Sequence, residues 1–145
     1  PLPDFYQGPG RVDRKPFEIL TAIRIAPDDY QCRWAEYEKY AMRGAMDIAT
    51  IGCAVSLKAE AGQVSELRIA FTVAAPTPTR CPKTEAKTQG ARLDEALLNL
   101  VSGSVLSDLR PRDSWRASKE FREHIIQTVA RRVLKKTMEK CGGAP

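Results

Sequence analysis

The chain has 145 residues, of which 43% are hydrophobic and 28% are charged, and its formal net charge is +5. This composition is typical of a globular protein, and the length suits one domain. No apolar run approaches the ~20 residues that span a bilayer, and no signal segment opens the chain, so we expect a cytoplasmic protein without a membrane partner.

The excess positive charge is concentrated in Arg131, Arg132, Lys135 and Lys136 near the end of the chain. Within a helix these residues would complement the negative end of the helix dipole, and no aromatic residues are interleaved with them. We therefore interpret them as a solvated helix face and expect no nucleic-acid partner. The cysteines are scattered and His124 is the only histidine, so we expect free thiols and no zinc or iron–sulfur site within the chain.

The first 28 residues predict little regular structure apart from one strand. Pro1 stands where an initiator methionine would, and turn-forming residues follow it, so we expect the chain to be a segment of a longer polypeptide. From Phe17 to Ile25 apolar residues alternate along the sequence between Pro16 and a turn-forming stretch at 26–29. That period of two predicts a half-buried strand.

Three further strands are predicted between residues 34 and 73. The segment from Trp34 to Met42 has a period that fits either a strand or a helix, and we interpret it as a strand. Residues 51–57 and 67–73 alternate clearly, and the short link at 59–63 predicts a hairpin with Gly62 at positive φ. Pro76 and Pro78 are expected to end the sheet. Small residues on the second face of the sheet leave room for another layer to approach closely.

The remainder of the chain has a helical period. Residues 81–89 predict a short helix stopped by Gly90, and apolar residues at three- and four-residue intervals predict a second helix at about 93–108. A final helix is predicted from an N-cap at Ser114 through Met138, with Gly142–Gly143 as its stop. The fold class is therefore α+β, an antiparallel three- to four-stranded meander with three helices packed on one face.

The residues carry no self-contained catalytic motif. There is no G-x-S-x-G elbow, phosphate-binding loop or Gly-rich dinucleotide motif, and no acid–base pair is evident. His124 is predicted to be a solvent-facing helix residue. Composition and periodicity alone thus indicate an α+β module of undefined activity.

Four stretches nevertheless resemble one known family. Residues 39–49, Lys-Tyr-Ala-Met-Arg-Gly-Ala-Met-Asp-Ile-Ala, resemble the K-x-x-x-R-x-x-x-D-I-A signature that opens the C-terminal domain of molybdenum-hydroxylase flavoproteins. Residues 68–80 resemble the family's strand and A-P-T-P-x-R loop, and residues 114–122 resemble its R-A-S-x-x-[YF]-R helix start. Residues 17–25 resemble the last strand of the preceding FAD domain. The sequence Ser-Trp-Arg-Ala-Ser at 114–118 resembles the three-subunit bacterial xanthine dehydrogenase branch of the family more than the carbon monoxide dehydrogenase branch.

The resemblance implies a domain division and a redox function. Residues 1–28 would be the tail of the FAD-binding domain, and residues 29–145 the C-terminal domain of the flavoprotein subunit. In such enzymes a molybdenum-binding subunit oxidises a purine, [2Fe–2S] clusters in an iron–sulfur subunit pass the electrons on, and FAD delivers a hydride to NAD+. The Gly-rich loops that hold most of the FAD are missing here, so we expect this chain alone to be inactive.

The resemblance also implies two flavin contacts. Leu20 matches an apolar residue that packs near the isoalloxazine ring, and Lys39 matches a lysine that approaches the polar edge of the flavin. An ammonium at that edge would stabilise negative charge on the ring. The alternative for Lys39 is a solvated lysine at the edge of a strand. Arg43 and Asp47, four residues apart, are interpreted as a structural ion pair.

Two other functions are kept as alternatives. The same fold could serve as a non-catalytic interaction or oligomerisation module, and an isolated segment that exposes the face normally covered by the FAD domain could form a homodimer. Nucleic-acid binding through the basic helix would instead predict salt-dependent retention on DNA.

Overall fold

The structure, a computed structural model, describes residues 1–142. Its elements, in chain order, are α1 (Leu2–Phe5), β1 (Tyr6–Gly8), β2 (Arg11–Val12), α2 (Pro27–Tyr30), β3 (Trp34–Tyr40), β4 (Ile51–Glu60), β5 (Gln63–Thr72), β6 (Thr79–Arg80), α3 (Pro82–Lys87), α4 (Glu95–Ser104) and α5 (Lys119–Gly142). A 3-10 turn at Val105–Ser107 extends α4. Within the described residues, none of these helices is long and apolar enough to cross a bilayer.

The main sheet is an antiparallel meander in the order β3-β4-β5-β6, and β1 pairs with β2 in a separate two-stranded ribbon. Strands β4 and β5 are joined by a tight turn at Ala61 and Gly62, with φ values of 49° and 76°. Positive φ at both positions matches the right-handed twist of the flanking strands. The predicted hairpin is confirmed, as is the strand interpretation of residues 34–40.

One face of the sheet and the three longer C-terminal helices enclose a single hydrophobic core. Alternate residues of β4 and β5 are buried, and α5 packs across β3 and β4 while α4 packs against α5. The core residues of α5 recur every three or four positions, among them Ile126, Val129 and Val133, each fully buried. Because one apolar face of an antiparallel sheet is covered by helices, the predicted α+β class is confirmed.

The predicted strand at Phe17–Ile25 is wrong for the described structure. Residues 13–26 contain no helix or strand, and all of them are exposed. Phe17 and Ile19 are 82% and 84% exposed, respectively. The physical reason is that a strand needs a hydrogen-bonded neighbour, and none of the residues 1–142 supplies one here. The alternating sequence therefore has an apolar side with nothing packed against it.

Two boundaries also differ from the sequence prediction. The sheet continues past Pro76 and Pro78, because β6 pairs with the end of β5 after the proline-rich loop. The last helix begins at Lys119, not directly after Ser114, since the Ser118 hydroxyl accepts the Phe121 N–H at 3.2 Å and so caps the helix. The predicted stop at Gly142–Gly143 falls partly at Gly143, outside the described residues.

Candidate functional site

The sheet face opposite α5 carries several small side chains and is largely accessible to solvent. We call it the open face and define it by alternate residues of three strands: Ala35, Tyr37 and Lys39, then Gly52, Ala54, Ser56 and Lys58, then Arg68, Ala70 and Thr72. A shallow cavity of about 330 Å³ lies on it, with a floor that includes Ala54 and Ala70. Such a face allows another layer to approach the backbone closely.

Gly52 sets the shape of the open face at the Lys39 end. It pairs with Lys39 on β3 and with Thr72 on β5. A Cβ atom at this position would lie 2.8 Å from the Tyr37 hydroxyl and 2.4 Å from Thr72 Oγ1, so only glycine lets these side chains lie over the strand. Sequence reasoning grouped Gly52 with other small residues and missed this role, although a glycine inside a strand is itself a signal of close approach.

Lys39 is exposed at one end of the open face, beside the loop from residue 41 to residue 50. Its ammonium donates to the Asp47 carbonyl at 3.0 Å, and no carboxylate of residues 1–142 pairs with it. An ammonium carries three N–H donors, so two remain for other acceptors. The predicted position of Lys39 on a strand is confirmed, whereas its flavin contact remains a prediction.

Asp47 holds the loop beside Lys39 in shape. Its carboxylate accepts the backbone N–H groups of Arg43 at 2.9 Å and Ile48 at 2.8 Å, and the Arg43 guanidinium donates to the Met46 carbonyl at 2.9 Å. Although partial desolvation acts in the opposite direction, these backbone donors lower the pKa of Asp47. Arg43 and Asp47 are also ion partners at 3.9 Å, as the sequence predicts. Their role is to fix the loop that supplies the carbonyl contacted by Lys39.

Leu20 is not brought into this site by the described residues. It lies on the extended 13–26 segment, is 59% exposed, and belongs neither to the hydrophobic core nor to the open face. Its proposed contact with a flavin ring therefore stays a prediction that concerns packing against polypeptide outside residues 1–142.

The arginines at the start of α5 differ in role. Arg122 anchors the helix by donating to the Thr50 carbonyl at 2.7 Å and to Ser114 Oγ at 2.8 Å. Arg116 instead lies 4.5 Å over the ring of Trp115 and does not hold the helix to a neighbouring loop. The sequence motif alone did not separate these two roles. His124 is exposed on α5, in agreement with the prediction of a solvent-facing residue.

The fold and its signature residues match a known family. The family described as the CO dehydrogenase flavoprotein C-terminal domain matches residues 36–137, which is well over half of the chain. The chain belongs to this family. The match begins in β3 and ends in α5, so it contains the open face except for Ala35, together with Lys39 and the loop fixed by Asp47.

Similarity to curated proteins extends through nearly the whole chain. The chain is 48% identical over 143 residues to the xanthine dehydrogenase FAD-binding subunit of Escherichia coli O157:H7, a match covering 99% of this chain and 49% of that protein. It is 29% identical over 133 residues to the carbon monoxide dehydrogenase medium chain of Afipia carboxidovorans, covering 92% and 46% respectively. The chain therefore spans about half the length of the curated relatives it matches.

Solved structures agree with the family's fold. A crystal structure of Cu,Mo-CO dehydrogenase in a cyanide-inactivated form matches with a TM-score of 0.81 and 28% identity, covering 94% of this chain and 47% of that chain. Quinoline 2-oxidoreductase from Pseudomonas putida 86 matches with a TM-score of 0.85 over the same shares of each chain, and at 22% identity it shows the common fold alone.

Proposed function

We propose that this chain forms the C-terminal part of the FAD-binding subunit of a xanthine dehydrogenase-type molybdenum hydroxylase, and that its open face closes one side of the flavin site. The observation that carries the proposal is the 48% identity, over 99% of the chain, to a protein named as such a subunit. The rest of the flavin site would come from polypeptide outside residues 1–145, and residues 1–28 would be the tail of that FAD-binding domain.

The open face fits a flat cofactor or the layer that holds one. Ala54 and Ala70 have short side chains on the floor of the shallow cavity, so a planar group can approach the strands closely there. Lys39 lies at the end of this face, and besides its contact with the Asp47 carbonyl its ammonium has N–H donors that no acceptor among residues 1–142 takes up. FAD, when bound, supplies the two-electron redox chemistry, while Lys39 would donate a hydrogen bond and a positive charge to its polar edge.

The exposed apolar side chains of residues 17–25 support the proposal that this segment packs against another domain. Phe17, Ile19 and Ile23 are each more than 70% exposed, and they alternate as strand residues do. Adding this segment to the edge or face of a neighbouring sheet would bury those side chains and satisfy their backbone groups. Leu20 would then lie on the opposite side of that strand, where it would contact the flavin.

The wider assembly follows from the same proposal. The partners would be a molybdenum-binding subunit and an iron–sulfur subunit with [2Fe–2S] clusters, and NAD+ would be the final electron acceptor, all in the cytoplasm. Purine-dependent reduction of NAD+ by the assembled complex tests the acceptor. If the complex reduces an artificial dye but not NAD+, the proposal that NAD+ is the acceptor is wrong, whereas the proposed flavin site is not contradicted.

The flavin contact of Lys39 is tested in the intact subunit by comparing Lys39→Ala with Lys58→Ala. Lys58 is the matched control, because it lies on the open face at the far end of β4 from Lys39 and pairs with Glu60 at 3.7 Å. A charge-assisted hydrogen bond contributes about 1.5–3 kcal/mol, so its loss from the reduced form alone would lower a two-electron potential by about 30–60 mV. We expect this decrease for Lys39→Ala and no change for Lys58→Ala in a spectroelectrochemical titration.

Equal flavin potentials and equal FAD content in the two variants would show that Lys39 does not contact the flavin.

The exposed Phe17–Ile25 segment also favours a second candidate function, a non-catalytic oligomerisation module. That function predicts an intact subunit that is colourless near 450 nm, takes up no added FAD, and forms dimers that dissociate when Phe17 and Ile19 are replaced by serine.

A further inference from the structure

A second cavity, of about 700 Å³, lies between the loop that follows β5 and the segment that leads into α5. Its charged lining consists of arginines: Arg110, Arg112, Arg116 and Arg122. The lining also has an apolar part that includes Val73, Pro76 and Pro78, and the hydroxyl residues Thr72, Thr77 and Ser114. No aspartate or glutamate of residues 1–142 lines the cavity.

Arg122 forms the buried part of this lining. It is only 4% exposed, and its two terminal nitrogens donate to the Thr50 carbonyl and to Ser114 Oγ. Its Nε atom is buried and has no hydrogen-bond partner among residues 1–142. A buried guanidinium without a carboxylate is costly, because desolvation is not offset by an opposite charge. An anion in the cavity would offset that charge.

The four arginines also have no carboxylate partner within residues 1–142. Six other arginines form ion pairs with aspartate or glutamate: Arg33, Arg43, Arg68, Arg80, Arg131 and Arg132. Burial lowers the pKa of Arg122, and the charges of Arg112 and Arg116 lower it further, whereas Asp113 acts in the opposite direction. The Asp113 carboxylate also accepts the Lys119 backbone N–H at 2.7 Å, and its single negative charge offsets only part of the charge of the four arginines. An excess of positive charge therefore remains around the cavity.

We propose that this arginine-lined cavity binds an oxyanion of the phosphate class. A guanidinium presents a planar fork of N–H donors that matches phosphate oxygens, and several such forks around one cavity suit a dianion better than a chloride ion or a neutral ligand. The cavity is within the size range of sites for small organic ligands, and its apolar wall can contact the non-phosphate part of a phosphate ester. The anion therefore arrives either as free phosphate or as part of an organic phosphate.

The test measures binding to the purified full chain by thermal unfolding and isothermal titration. The probes are inorganic phosphate, pyrophosphate and adenosine monophosphate, each at constant ionic strength against sodium chloride. A ligand that binds the folded state raises the unfolding temperature increasingly as its concentration exceeds its dissociation constant. Arg112→Ala and Arg116→Ala are the test variants because both residues are exposed, whereas Arg122 also supports Thr50 and is left unchanged.

Arg92→Ala is the matched control, since Arg92 is exposed, lies outside the cavity and changes the net charge equally. We expect each test variant to weaken binding by about tenfold and the control to leave it unchanged, as a lost charge-assisted contact would. Tighter binding of adenosine monophosphate than of inorganic phosphate identifies a phosphate-ester site, and equal or weaker binding identifies a free-anion site. No stabilisation beyond that of chloride, or an equal loss in Arg92→Ala, overturns the proposal.

Discussion

Replacing Gly52 with alanine tests how closely the side chains of the open face pack over the sheet. A Cβ atom at residue 52 would lie 2.4 Å from Thr72 Oγ1 and 2.8 Å from the Tyr37 hydroxyl. Both separations are well inside van der Waals contact, so both side chains must move. We expect Gly52→Ala to lower the free energy of unfolding, although alanine is normally the better residue inside a strand.

The magnitude follows from two opposing contributions. Thr72 is β-branched and has few rotamers, and inserting a methyl group against packed side chains typically costs about 1–3 kcal/mol. Tyr37 is 59% exposed and can swing outward, which keeps the cost near the middle of that range. The lower entropy of alanine in the unfolded chain returns about 0.5–1 kcal/mol. We therefore expect a net loss of about 1 kcal/mol.

The assay is urea unfolding followed by far-UV circular dichroism, with a second glycine as the control. Gly103 lies in α4 and is exposed, and a Cβ atom added there would meet no other atom within 4 Å, so Gly103→Ala should stabilise the helix by about 0.5–1 kcal/mol. The same substitution thus changes stability in opposite directions at two sites. In a Thr72→Ala background, Gly52→Ala should lower the free energy of unfolding by less than half as much, because the Thr72 Oγ1 atom that lies closest to the added Cβ is absent. A Gly52→Ala protein as stable as the wild type, or an unchanged cost in the Thr72→Ala background, would refute this reasoning.

Two further predictions concern charge and thiol chemistry. Burial opposes ionisation of Glu38, but hydrogen bonds from Lys136 and Arg132 of α5 lower its pKa below the usual 4.5. A carboxylate whose pKa is lowered by folding stabilises the folded state at pH values above its unfolded pKa, and this stabilisation is lost as the pH falls through the folded pKa. Glu38→Gln should therefore lower the free energy of unfolding by about 1 kcal/mol at pH 7 and by progressively less below pH 4.5. Denaturant titrations that show the same cost at pH 3 and pH 7 would contradict this. Burial raises the pKa of the Cys81 thiol to about 12, whereas Cys32 is exposed, so iodoacetamide at pH 8 should alkylate Cys32 first and Cys81 only after unfolding. Peptide mass mapping that finds equal labelling in the folded protein would show that the core opens readily.

The sequence by itself determined those helices and strands that bury one face, because burial of one face gives their apolar residues a regular spacing. Alternation in β4 and β5 and the three- and four-residue spacing in α5 follow directly from burial against a common core, so the amino-acid order alone predicts them. The turn at Gly62 could be predicted because few residues adopt positive φ easily. The signature at residues 39–49 likewise indicates the family without any knowledge of long-range contacts, since its spacing is local.

Only the tertiary structure decided which partners those elements find. Alternation at Phe17–Ile25 is as regular as in β4, yet these residues have no neighbouring strand within residues 1–142, because a period specifies an apolar side and not what covers it. Ser118 caps α5, whereas Ser114 accepts a hydrogen bond from the buried Arg122, a contact that the sequence alone does not predict. The crowding around Gly52 and the convergence of four arginines on one cavity join residues far apart in sequence. Such contacts depend on how the layers pack in three dimensions, which local sequence patterns do not encode.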